Sequence, residues 1–158
     1  MIDWRTVRRF VHRRTYFCAV GVLEQGAVRL FPIGSLRLDN EGNATYFEVF
    51  ARPVDEGQPV TFLAVDMNLW FWLVSLLRGK FTHPPAIRMQ GTLGPRRLAT
   101  EAEKARFHRA VGWLRYTRGG RLLWFDAKHT REVRMHEVAT VRAGRMTRGF
   151  EQWALAAL

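Results

Sequence analysis

Residues that could do chemistry are thinly spread along this chain. The five histidines (His12, His83, His108, His129, His136) fall on separate segments. None pairs with another at the i, i+4 spacing that sets two metal ligands on one helix face, so surface histidines are expected rather than a metal or haem site. Cys18, between Phe17 and Ala19, reads as a small buried hydrophobe rather than a nucleophile. No phosphate-binding glycine loop, zinc-type cysteine pair or Gly-x-Ser-x-Gly elbow is present, which removes several large enzyme classes. One set does combine useful groups. Tyr46, Glu48, Phe50 and Arg52 share one face of an extended segment, with Thr45, Phe47, Val49 and Ala51 on the other. The second set suits a barrel interior. The first suits a flat ligand with a phosphate tail, held bidentately by Arg52 at the strand end; the plainer alternative pairs Arg52 with Glu48. Nearby, Pro32, Gly34 and Ser35 stand where a core strand would carry Val or Ile. Such residues mark an edge, a bulge or a place where a ligand meets the backbone.

The elements that must position these groups are legible from periodicity. Trp4, Val7, Phe10 and Val11 recur at helical spacing between arginines, predicting an amphipathic helix over about 2–14. Strands are expected at Thr15–Glu24, in the two halves of Arg29–Arg52 folded around "DNEG", at Pro59–Asp66, and around Ile87 to Gly91. The apolar run Asn68–Leu77, ended by Gly79, is about half the length needed to span a bilayer, so a buried helix is expected and no membrane span. Thr100 and Glu103 form a capping-box pattern ahead of Phe107, Val111 and Leu114, which predicts a third helix. "RLLWFDA" and the segment from Arg131 read as one or two further strands. About six strands with three helices, the first four strands nearly consecutive, predict a mainly β, α+β chain: an antiparallel barrel with flanking helices, one domain over 1–158.

The formal net charge is +11, from 25 Lys plus Arg against 14 Asp plus Glu, and it is unevenly spread. Residues 1–14 hold five arginines against Asp3, residues 15–77 three against seven acids, and the remainder carries most of the positive charge. A basic surface attracts nucleic acid, anionic lipid or a phosphorylated ligand. A single cysteine and no secretory leader pattern suggest a reducing cytoplasm.

The helix, the stretch "YFCAVGVLEQGAVRLFPIGSLRLDNEGNATYFEVFARPV" and the later "RMQG" together resemble the pyridoxamine 5'-phosphate oxidase-like family of FMN-binding split barrels. The resemblance covers Arg5 to about Gly91 and, more loosely, the C-terminal strands. It implies an FMN outside the barrel at a homodimer interface, with Pro32, Ile33, Gly34 and Ser35 beside the flavin ring. Tyr46 and Phe47 would contact it from the next strand, and Arg52 would hold the phosphate. Deazaflavin, FAD and haem are the alternative cofactors. The implied activity is a flavin-dependent oxidoreductase drawing on NADH or NADPH, with no dedicated acid or base needed. Two departures stand out. Pro53 replaces the second basic residue that usually follows the Arg52 position, and "HPPA" precedes Ile87 where the oxidase carries basic residues. Loss of one charge-assisted hydrogen bond costs about 1–3 kcal/mol, so pyridoxamine phosphate oxidation itself is not expected. The rival readings are a non-enzymatic basic domain for nucleic acid or another polyanion, drawn from "FHRAVGWLRYTRGGRLLWF", and a split barrel that has lost its flavin.

Overall fold

Period-two alternation of apolar side chains builds the strands. The computed structural model describes residues 1–49, 54–124 and 127–155. Among these, the strands are β1 (Cys18–Glu24), β2 (Ala27–Ile33), β3 (Arg37–Leu38), β4 (Asn43–Phe47), β5 (Pro59–Val65), β6 (Ala86–Leu98) and β7 (His129–Thr140). The helices are α1 (Trp4–Arg14), α2 (Leu69–Arg78), α3 (Glu101–Ala110) and α4 (Arg118–Trp124). All seven strands join one sheet in the order β2-β1-β5-β6-β7-β4-β3, and every ladder is antiparallel.

The two edges of that sheet, β2 and β3, are consecutive in the chain. Gly34, Ser35 and Leu36 carry the backbone from one edge to the other, so the sheet curls toward closure without a ladder at the seam. This is the split of the barrel, and it accounts for the unusual residues. Pro32 lies opposite Ala19 on an edge strand, where a missing N–H costs the ladder least. Ser35 extends the β3–β4 pairing beyond its ladder: its Oγ accepts the Phe47 N–H at 2.9 Å.

Inner positions of the strands meet in one core. Val20, Phe62, Ala64, Ile87 and Met89 have essentially no exposure, and α1 adds Val7, Phe10 and Val11 from its apolar stripe. Burying each such side chain is worth roughly 1.5–3 kcal/mol, enough to hold a helix whose other faces are mostly charged. The Asp3 carboxylate caps α1 by accepting from the N–H groups of Arg5 and Thr6. Across the sheet end, the Asp3 N–H reaches the Ala154 carbonyl at 2.8 Å and Ile2 bridges Leu155.

Several sequence expectations hold in detail. Thr100 and Glu103 form both halves of the capping box, and α2 begins at an Asn68 cap and ends at Gly79, whose φ of 62° fits the left-handed cap that glycine favours. Others change. The hairpin around "DNEG" is only β3–β4; the segment from Ala27 to Ile33 pairs with β1 instead. Residues 121–124 are helical rather than extended, leaving β7 as the strand of the C-terminal region. The predicted third helix stops at Ala110 and continues as a 3-10 turn over Gly112–Tyr116. Helix α2 is not buried: among its ten residues only Phe71 and Ser75 are.

Candidate functional site

The seam opens onto a cavity of about 590 Å³ between the β3–β4 hairpin, α1 and α3. That volume lies within the roughly 300–1,000 Å³ usual for ligand and cofactor sites. Four of the seven residues expected from sequence border it: Gly34, Ser35, Tyr46 and Phe47. Pro32 lies on the exposed outer face and Ile33 points into the core, and neither borders the cavity. Arg52 lies outside the described residues.

The expected faces of β4 are reversed. Ala44 and Tyr46 point into the barrel, where the Tyr46 ring meets Phe62 edge-on at 6.0 Å. Burial first, and then the Glu48 charge, push the Tyr46 phenol up to about 12, so it stays protonated. Thr45 and Phe47 face the cavity side. Phe47 stacks on Phe107 of α3 at 4.6 Å, in a small second cluster with Ala99. Period two cannot separate these faces because both are apolar, one covered by the barrel and the other by a helix. Glu48 joins neither ligand face: its oxygens accept from Arg131 Nε at 2.8 Å and Arg96 Nε at 2.6 Å.

The cavity also gathers groups that the sequence reading passed over. Arg8 from α1, Arg37 from β3 and Arg106 from α3 converge there from separate parts of the chain. The acids on the same wall are already engaged. Both Glu103 oxygens accept from Arg97, at 2.8 and 2.9 Å, which holds this carboxyl down at about 2. Asp39 accepts from the Glu41 and Asn43 N–H groups and from the Asn43 side chain. The uncommitted charge is therefore positive, as an anion requires. Deeper in, the Thr130 hydroxyl is buried and has no hydrogen-bond partner among the described residues. An orphaned buried hydroxyl costs free energy unless a ligand or water meets it.

Among the described residues, His12 is the only histidine on this wall. Its Nε2 accepts the Leu38 N–H at 3.1 Å, so a neutral ring with the proton on Nδ1 is the form that fits. Desolvation, reinforced by Arg37 and Arg8, lowers its pKa to about 4. A depressed histidine pKa has a defined sign. Stability is unaffected above about 6.5 and is lost as the pH falls toward 4, because the unfolded chain takes up the proton first. Allowing for the ring's partial exposure, the expected loss between pH 7 and pH 4 is about 1–2 kcal/mol. Urea unfolding of wild type and His12→Gln across that range checks it: the variant should show the shallower dependence, and equal slopes would contradict the assignment.

The spacing Arg8 to His12 is one helical turn, so their shared face was readable from sequence; the additions from α3 and β7 depend on tertiary structure. No family model matches the chain, and no curated protein matches it. Solved structures do. An FMN-binding protein from Syntrophomonas wolfei aligns over 90% of this chain and 88% of its own, with a TM-score of 0.61 and 11% identity. HutZ, the heme storage protein from Vibrio cholerae, aligns over 89% and 95% with a TM-score of 0.52 and 10% identity. HupZ from Group A Streptococcus aligns over 91% and 97% with a TM-score of 0.52 and 15% identity. At such identities the likeness speaks for architecture, and the architecture is plain: this chain has an antiparallel split β-barrel fold like that of the FMN-binding protein.

Proposed function

We propose that the chain binds a flavin, FMN foremost, in the seam cavity, and works in the cytoplasm as a homodimeric oxidoreductase. The observation that carries this reading is the convergence of Gly34, Ser35 and Phe47 with Arg8, Arg37 and Arg106 on one cavity. The stacked Phe47 and Phe107 rings supply an apolar wall for a flat ring system. The arginines suit a phosphate, and Thr130 offers a hydroxyl in need of a partner. Bound flavin would supply hydride and electron transfer, between NADH or NADPH and a small acceptor; the protein's part is to orient the ring and keep water from it.

Haem, which HutZ stores, fits these residues less well. The one imidazole on the cavity spends its Nε2 lone pair on the Leu38 N–H, and its protonated Nδ1 is no ligand. A homodimer is supported by the outer face of β1, β2 and β5, where Leu23, Val28, Leu30 and Leu63 are exposed side by side. Apolar surface of that kind on a sheet marks a contact.

The test is the visible spectrum of the purified protein before and after adding FMN, followed by titration. Flavin bands are expected, and Arg37→Ala or Arg106→Ala should weaken binding about tenfold or more, the worth of one charge-assisted hydrogen bond. Arg52→Ala tests the phosphate role implied by the resemblance. FAD and a deazaflavin, titrated in the same way, rank the cofactors. A colourless protein that no flavin binds or stabilises would overturn the proposal.

A further inference from the structure

Helix α2 is apolar on the side that faces water. Leu69, Trp70, Leu73, Leu76 and Leu77 are all exposed, Leu69 and Leu77 by 84% and 80%. At 100° per residue these five fall on a single stripe, opposite the buried Phe71 and Ser75. A stripe with this composition is costly to leave in water and marks an interaction surface.

Its surroundings say what kind. A second cavity, of about 580 Å³, separates the start of α2 from the last turns of α1 and is lined by Arg9, Arg13 and Arg14 together with Tyr16, Leu69 and Trp70. Arg78 and Lys80, both exposed, stand at the other end of the stripe. One acid, Asp66, lines this region. It is buried and engaged, accepting from Arg14 at 3.2 Å, bonded to His83 Nε2 at 2.8 Å and accepting from the Asn68 N–H at 2.9 Å. The apolar stripe is therefore bordered by cations at both ends, with exposed Trp70 and Tyr16 at one of them.

We propose that this face docks on an anionic lipid surface, with α2 lying in the plane of the headgroups. Leucines enter the acyl boundary, Trp70 and Tyr16 sit at headgroup depth, and Arg9, Arg13, Arg78 and Lys80 meet the lipid phosphates. This is peripheral binding: no described helix is long and apolar enough to cross a membrane. The charge pattern decides between occupants. A two-fold contact between copies through the stripe would set the cationic borders of both against each other. Nucleic acid would leave five apolar side chains in water. An anionic bilayer satisfies the stripe and its borders together, and the net charge of +11 adds long-range attraction.

Co-sedimentation of the full chain with vesicles tests this, using phosphatidylcholine alone and phosphatidylcholine with phosphatidylglycerol in equal parts. Binding to the mixed vesicles is expected, weaker at high salt and weaker still on the neutral ones. Trp70→Glu and Leu77→Glu should each lower partitioning about tenfold, as expected for removing one buried apolar side chain. Both positions are solvent-exposed, so the fold should survive, and an unchanged unfolding curve confirms that it does. Arg9→Glu with Arg13→Glu should abolish the preference for anionic lipid. No sedimentation with mixed vesicles overturns the proposal. So does sedimentation that Trp70→Glu and Leu77→Glu leave intact, or a stripe whose only effect is on self-association, with Leu77→Glu reducing the particle size and leaving lipid partitioning unchanged.

Discussion

Arg131→Ala is expected to destabilise the fold by about 3–5 kcal/mol, the usual result of stranding one member of a buried ion pair. Arg131 is 3% exposed, and every part of its guanidinium is engaged. Nε donates to Glu48 Oε1 at 2.8 Å, Nη1 to the Gly94 carbonyl at 3.1 Å and Nη2 to the Val54 carbonyl at 2.8 Å. Glu48 is as deeply buried, with its second oxygen held by Arg96. Truncating Arg131 thus leaves a carboxylate and two carbonyls short of donors in a place that water reaches poorly. Glu48→Ala should cost a comparable amount by stranding the guanidinium. The double variant Glu48→Leu with Arg131→Met should lose less than the two single losses added together, because apolar replacement of both partners removes the stranded charge. Urea denaturation of the four proteins decides the matter. Single-variant losses below about 1 kcal/mol would place the pair among surface ion pairs.

Phe62→Ala should cost a similar amount, about 3–5 kcal/mol, for a different reason. The ring has no exposure, lies on β5 between β1 and β6, and packs edge-on against Tyr46. Removing it opens a cavity between the two halves of the barrel, and the neighbours come from β1, β6 and β4, too tightly tied by ladders to collapse into it. Phe62→Leu, which keeps most of the volume, should lose far less. Calorimetry or denaturant melts compare the two. If they destabilise equally, the loss comes from the shape of the ring and not from the volume removed, and the cavity account fails.

How much of this was legible beforehand depends on how local each feature is. The capping box at Thr100, the stop at Gly79 and the alternation in Ile87–Gly91 are fixed by residues a few positions apart, and they appear as the sequence implies. The face of β4 was not legible, since Tyr46 and Phe47 are both aromatic and both covered. Exposure of α2 was hidden for a related reason: its sequence is apolar nearly all round, and hydropathy alone assigns such a helix to the interior. The seam residues Gly34 and Ser35 were flagged by type, yet their role rests on β2 and β3 being the two sheet edges. Arg37, Arg106 and Thr130 reach the cavity from three distant segments, a convergence that no local pattern announces.

The pairing of β4 with β7 has a consequence for the order of folding. Phe47 lies opposite Thr130 and Asn43 opposite Arg134, so the β3–β4 hairpin finds its lasting partner only after most of the chain is in place. The β1–β2 hairpin and the β5–β6 pair are closer in sequence and free to form earlier. On a ribosome, β4 would wait for the strand that completes its ladder, with Phe47 and its backbone edge uncovered in the interval. The wall of the seam cavity includes that pair, so the cavity would be among the last parts of the molecule to take shape. A ligand bound there would act on the final closure step, holding together the half of the barrel that the chain assembles last.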